Sequence, residues 1–302
     1  MPAVLPLLRL RRRGWREAPR VGASAWGLPS ATGGCRPLKV TPHPAPNLTA
    51  VEATETSKVA FVTGGARGIG WAAAAALRAE GWRVVLADRD VAALERAAAE
   101  LDAEPVPVDV TDIGAVRATL AGVARKMGRL DCLVNNAGVF KNEPLLEVEE
   151  DGYDRLMAVN LKGAFFVLQA AAREMRALGN GGVIVNVASA AGRSARPTQA
   201  VYGMTKAALI HLTKSAAVAL APDIRVLAVC PAAVETEMWE QVLKERRAVG
   251  GDADVQALFA RIPLGRACTA AEVAGVIAFL ASDRAAYMTG SALDISGGME
   301  MI

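Results

Sequence analysis

From Lys58 onward the chain alternates between short β-branched runs and alanine-rich stretches of helical period. The runs are Val59–Thr63, Arg83–Ala87, Pro105–Val108, Cys132–Val134, Val183–Ala188, Ile224–Val229 and Ala292–Ile295. Between them lie Gly68–Glu80, Val91–Leu101, Ile113–Met127, Tyr153–Leu178, Tyr202–Leu220 and Ala270–Ala281. Strands that read as continuous apolar runs need cover on both faces. Strands separated by helices pair in parallel, with right-handed crossovers. The expected architecture is α/β: a single doubly wound domain, a seven-stranded parallel sheet with helices on both faces, spanning residues 58–302. Residues 235–262 break the pattern, because charge rises there and periodicity is poor. An insertion of this kind, between the sheet and its last helix, is expected to form a lid over a site.

Composition agrees with tight helix-on-sheet layers. Hydrophobic residues make up 52%, aromatics only 5%, and there are 28 glycines. No apolar run approaches the length of a membrane span, so no membrane partner is expected. Charge is unevenly placed. Residues 1–50 carry eight basic residues against Glu17 alone, a net +7, which leaves the remainder at −4. A mildly acidic body argues against a nucleic-acid surface. Two histidines, His43 and His211, and four cysteines without paired spacing give no metal site and no disulfide framework; Cys132 and Cys230 are expected as buried thiols. Residues 1–57 are rich in Arg and Pro and lack periodicity. Three readings stay open: a transit peptide, which would direct the protein to mitochondria; a disordered basic arm; or a product of start-site assignment. Without a transit peptide the expected location is cytoplasmic.

The first run ends in Thr63-Gly64-Gly65-Ala66-Arg67-Gly68-Ile69-Gly70 and passes directly into Trp71-Ala72-Ala73-Ala74. Strand, glycines, then helix is the context in which such glycines bind a dinucleotide. Gly64 permits the tight turn, Gly68 lets a pyrophosphate approach the backbone, and Gly70 allows close helix packing. The helix N-terminus adds N–H groups and positive dipole. Asp88 closes the second run, where a carboxylate grips ribose hydroxyls and repels a 2′-phosphate, so NAD is expected over NADP. Arg67 and Arg89 oppose that reading, since either could pair with such a phosphate.

Tyr202 and Lys206 stand four apart on a predicted helix and share a face. The ammonium is expected to favour the phenolate and lower the tyrosine pKa, making the pair an acid/base device. Ser189, at the end of the Val183–Ala188 run, can donate a hydrogen bond to whatever the tyrosine protonates.

Together these residues resemble the short-chain dehydrogenase/reductase family, over essentially all of residues 58–302. Thr63 to Gly70 meets its Thr-Gly-x-x-x-Gly-Ile-Gly pattern. Asp109 and Val110 match its adenine-contacting segment, and Asn136, Ala137 and Gly138 its Asn-Asn-Ala-Gly signature, which lines the cofactor cleft. Asn160, Ser189, Tyr202 and Lys206 match the catalytic tetrad. Pro231, Val234 and Thr236 match positions at the nicotinamide. Two departures, Ala232 after Pro231 and Leu227 in the sixth run, remove no catalytic group.

The resemblance implies a Rossmann domain and hydride transfer between a secondary alcohol or ketone and a nicotinamide cofactor. Tyr202 would be the acid/base, Lys206 would also bind the nicotinamide ribose, and Asn160 would hold a relay water. It further implies a homo-oligomer, a dimer or tetramer packed through the Tyr202–Leu220 helix and its predecessor. NAD-linked oxidation of an alcohol, polyol or sugar is expected; NADPH-linked reduction of a 3-oxoacyl carrier-protein substrate is the alternative, and a non-catalytic dinucleotide-binding regulator a minor one. Met238, Trp239, Val242 and Leu243 are candidate substrate-lining residues, and Arg193 and Arg196 are candidates at the cleft entrance.

Overall fold

The structure, a computed structural model, describes residues 57–300, and for residues 245, 246 and 248–254 the backbone only. The readings of residues 1–57 therefore lie, but for Ser57, outside the described residues.

Seven strands form one parallel sheet: β1 (Val59–Thr63), β2 (Arg83–Asp88), β3 (Glu104–Pro107), β4 (Cys132–Asn135), β5 (Gly182–Val187), β6 (Ile224–Pro231) and β7 (Ala292–Ile295). Their order is β3-β2-β1-β4-β5-β6-β7. The order reverses between β1 and β4, which pair in parallel through Ala60 with Cys132 and Val62 with Val134. Crossovers on either side of that point leave in opposite directions, so a crevice opens there at the carboxyl ends of the strands.

Alternate residues of the five inner strands, β2, β1, β4, β5 and β6, feed two cores. Ala60, Val62, Leu86, Val134 and Val185 pack with α1 (Gly68–Ala79), α2 (Val91–Leu101) and α8 (Ala270–Ala281). Phe61, Val85, Leu133, Ile184 and Val226 pack on the other face with α3 (Ile113–Met127), α5 (Ala164–Leu178) and α6 (Ala200–Leu220). Each fully buried Leu or Ile contributes about 1.5–3 kcal/mol. Burial on both faces is why these strands carry no polar alternation.

Two expectations change. The single helix expected over Tyr153–Leu178 is α4 (Glu150–Met157), a π-turn at Ala158–Gly163, then α5. The extra residue in a π-turn re-aims one side chain, and here that places Asn160 under the site. The stretch 235–262 holds a 24-residue helix, α7 (Glu237–Ala260). Thr236 caps it by accepting from Trp239 N, and Glu237 and Glu240 in the first turn suit the helix dipole. Among its described side chains, Val242 and Val255 are buried and Trp239 stands edge-on to Phe259 at 6.3 Å.

Candidate active site

Two adjoining cavities occupy the crevice. The larger, of about 580 Å³, runs from the glycine turn over the tips of β2 and β4. Gly64, Arg67, Gly68, Ile69, Asp88, Arg89, Asp109, Val110, Asn136, Ala137, Gly138 and Thr236 all line it. The smaller, of about 170 Å³, is lined by Ser189, Tyr202, Lys206, Pro231 and Val234. Ile69, Asn136, Gly138, Val139, Thr236 and Met238 line both, so the two spaces adjoin.

The glycine turn is built by close approach. Gly64 and Gly68 have φ of 63° and 57°, in the left-handed region. A Cβ on Gly70 would stand 2.1 Å from the Gly64 carbonyl oxygen, so only glycine fits where α1 meets the turn. Asn136 braces the same turn: its Nδ2 donates to Thr63 O at 3.0 Å and to Gly64 O at 3.1 Å. The N-terminus of α1 is unlike its neighbours. Asp90 caps α2 and Asp112 caps α3 through side-chain oxygens, whereas Arg67 at the start of α1 offers no acceptor. The first N–H groups of α1 are thus left for an anion. A pyrophosphate fits this cradle, and Asp88, at the tip of β2, fits a ribose. Asp88 also accepts from Ala66 N at 3.3 Å and Asp90 N at 3.0 Å. Asp109 accepts from Thr111 N and Oγ1, and these bonds hold its carboxyl below the usual range. The residues present fit a nicotinamide dinucleotide.

The smaller cavity brings Ser189, Tyr202 and Lys206 together. β5 ends at Val187 and delivers Ser189, whose Oγ accepts from Ala191 N at 3.2 Å. α6 presents Tyr202 and Lys206 on one face. The Lys206 Nζ donates to Val187 O at 2.8 Å and lies 5.7 Å from the centre of the Tyr202 ring. The expectation that Lys206 lowers the tyrosine pKa is not met in this geometry. Burial instead pushes the Tyr202 phenol above its usual value, with a hydrogen bond from Ser189 opposing, and burial draws Lys206 down to about 8. Both groups are desolvated, and Lys206 directs a hydrogen bond to the Val187 carbonyl.

Asn160 lines neither cavity. Its Oδ1 accepts from Val139 N and its Nδ2 donates to Val139 O, each at 2.8 Å, which pins the loop after β4. A Cβ on Gly138 would sit 3.4 Å from Asn160 Oδ1 and 3.6 Å from Lys206 Nζ, so the two groups flank one point. A buried polar ladder lies below. Asn135 Nδ2 donates to Asn186 Oδ1, Asn186 Nδ2 to Thr213 Oγ1, and Thr213 Oγ1 to Leu209 O, each at 2.9 Å. It ties β4 and β5 to α6 and so fixes the helix that carries Tyr202 and Lys206.

Met238, Trp239 and Val242 line the smaller cavity as expected, whereas Leu243 does not. Arg193 and Arg196 are committed elsewhere: Arg193 donates to Ala292 O, and Arg196 pairs with Glu300. Among the lining residues that were not expected are Phe140 and Gln199. Phe140 stands edge-on to Tyr202 at 5.0 Å, and Gln199 opens the helix one turn before it. Phe140 follows directly on the Asn-Asn-Ala-Gly signature, and Gln199 lies three residues before Tyr202, so proximity to motifs was the available signal.

The chain is similar to known proteins over most of its length. The family model described as Enoyl-(Acyl carrier protein) reductase matches residues 64–300. The galactitol 2-dehydrogenase of Agrobacterium fabrum is 37% identical over 248 residues, covering 80% of this chain and 97% of that protein. A crystal structure of an NAD+-bound xylitol dehydrogenase superposes with a TM-score of 0.76 at 38% identity, covering 80% of this chain and 98% of that one. An actinorhodin polyketide ketoreductase solved with NADPH gives 0.78 at 33% identity, covering 82% and 98%. With matches of this extent on top of the glycine turn and the Ser189, Tyr202 and Lys206 cluster, the chain belongs to the short-chain dehydrogenase/reductase family of nicotinamide-dependent oxidoreductases.

Proposed function

We propose that the protein is an NAD-linked dehydrogenase that oxidises a secondary hydroxyl of a polyol or similar small alcohol. The observation that carries this reading is the adjoining of the two cavities, the smaller of which is lined by Tyr202, Ser189 and Lys206. When bound, the nicotinamide supplies the hydride acceptor. Tyr202, as phenolate, accepts the proton of the substrate hydroxyl. Ser189 donates a hydrogen bond to the same oxygen and holds it against the tyrosine. Lys206 supplies positive charge beside the phenol and a donor for the ribose. Asn160, with Oδ1 and Lys206 Nζ flanking the point over Gly138, completes the path by which the proton leaves. Phe140, Trp239, Met238 and Val242 give the substrate a mainly apolar enclosure, and Gln199 adds an amide. Galactitol and xylitol in the names of the relatives support a polyol.

NAD is proposed on Asp88, whose carboxylate faces the larger cavity from the tip of β2. The second reading is NADPH-linked reduction of a 3-oxoacyl carrier-protein substrate. Arg67 and Arg89 on the same cavity favour it, as does the NADPH-bound ketoreductase. We also propose a homo-oligomer. α5 and α6 expose an apolar groove lined by Leu168, Ala172, Leu212 and Ala216, with Phe165 40% exposed beside it.

The experiment is a turnover screen of NAD and NADP against polyols, simple secondary alcohols and 3-oxoacyl thioesters. NAD with a polyol is expected to give the highest kcat/KM. NADPH with a thioester ahead of every alcohol would replace this reading with the second.

A further inference from the structure

Six charged side chains line the larger cavity around its glycine turn: the carboxylates of Asp88, Asp90, Asp109 and Glu237, and the guanidiniums of Arg67 and Arg89. Negative charge exceeds positive by two. An incoming ligand meets that net charge in a concave site, where the field of the lining groups is felt strongly.

Arg67 decides how that field is felt. It stands in the glycine turn, where its guanidinium could meet a 2′-phosphate. Here it is held from two sides. One Nη pairs with Asp90 of the β2–α2 loop, and the other donates to Glu237 in the first turn of α7 at 3.2 Å. Arg89 is also drawn to a carboxylate, that of Asp109 at 4.0 Å. Asp90 has a second task, since its other oxygen accepts from Ala93 N and caps α2. An asparagine there keeps that cap while losing the charge.

We infer that Asp90 and Glu237 are specificity-determining residues that select against a 2′-phosphorylated cofactor, by engaging Arg67. The inference rests on the NAD reading above and extends it to residues that carry no recognition motif. Asp88 repels a 2′-phosphate directly. Asp90 and Glu237 withdraw the cation that would otherwise compensate. Arg67 is half exposed and Glu237 73% exposed, so each ion pair is individually weak. The two are expected to act together.

The test uses adenosine 2′,5′-bisphosphate and AMP as probes, bound to the full chain and measured by calorimetry. The variants are Glu237→Gln, Asp90→Asn and the double. The double variant is expected to bind the bisphosphate about tenfold tighter relative to AMP, the size of one recovered charge-assisted hydrogen bond. Each single variant should give part of that gain. Adding Arg67→Ala to the double should abolish it, and about 0.5 M salt should shrink it. An unchanged ratio in the double variant, or an equal gain without Arg67, overturns the inference. A wild-type protein that already prefers the bisphosphate would instead overturn the NAD reading; the change from wild type to double variant still decides this one.

Discussion

At the scale of single residues, the chemistry is set by desolvation. Burial raises the Tyr202 phenol and lowers Lys206 to about 8. Alcohol oxidation needs the phenolate, so the raised value means that the active form is scarce at neutral pH and grows as pH rises. In a pH–rate profile, kcat/KM for oxidation should climb to an alkaline plateau, while that for ketone reduction, which needs the phenol, should fall over the same range. A flat profile between pH 6 and about 10 would speak against Tyr202 as the group that titrates. Gly138 offers a second residue-level test. Its φ is not in the left-handed region, and a methyl there would meet Asn160 Oδ1 and Lys206 Nζ at 3.4 and 3.6 Å, which is ordinary contact. Gly138→Ala should therefore fold with an unchanged Tm and yet turn over at least about tenfold more slowly, because the methyl stands in the proton path. A variant that keeps full turnover would remove Asn160 from that path.

At the scale of elements, the site depends on how β4, β5 and α6 are tied together. Asn186 is fully buried and links Asn135 to Thr213. Asn186→Ala would leave a buried amide and a buried hydroxyl each short of a partner, at a cost of about 2–4 kcal/mol. Urea unfolding should register that loss, with turnover falling less steeply than stability. A loss below about 0.5 kcal/mol would show that the ladder is not what fixes α6. Most elements were legible in the sequence. β1, α2, α3 and α8 have the expected bounds, because each has its own local signal: a doubly buried apolar run in β1, or a capping aspartate or threonine before an apolar period in the helices. What was not legible depends on tertiary contact. The π-turn at Asn160 looks, in sequence, like continuous helix. α7 hides its helix because its middle has little apolar period. The pairing of Arg67 with Glu237 joins residues 170 apart, which no local pattern can announce. The pKa of Tyr202 was misjudged because spacing on a helix gives proximity but not desolvation.

At the scale of the whole molecule, the chain is two functional halves on one sheet. The glycine turn, β2 and β4 build the larger cavity; β5, α6 and the end of β6 build the smaller one. Only a shared wall of Ile69, Asn136, Gly138, Val139, Thr236 and Met238 joins them. Because the halves are separable, a change in one should leave the other working, and this gives the account its most direct test. The measurement is a paired one on Tyr202→Phe: NAD affinity by calorimetry, and NAD-linked turnover of the best polyol. The account predicts a Kd for NAD within about twofold of wild type and a turnover reduced by roughly 10²–10⁴-fold. Turnover that survives the loss of the phenol would contradict it.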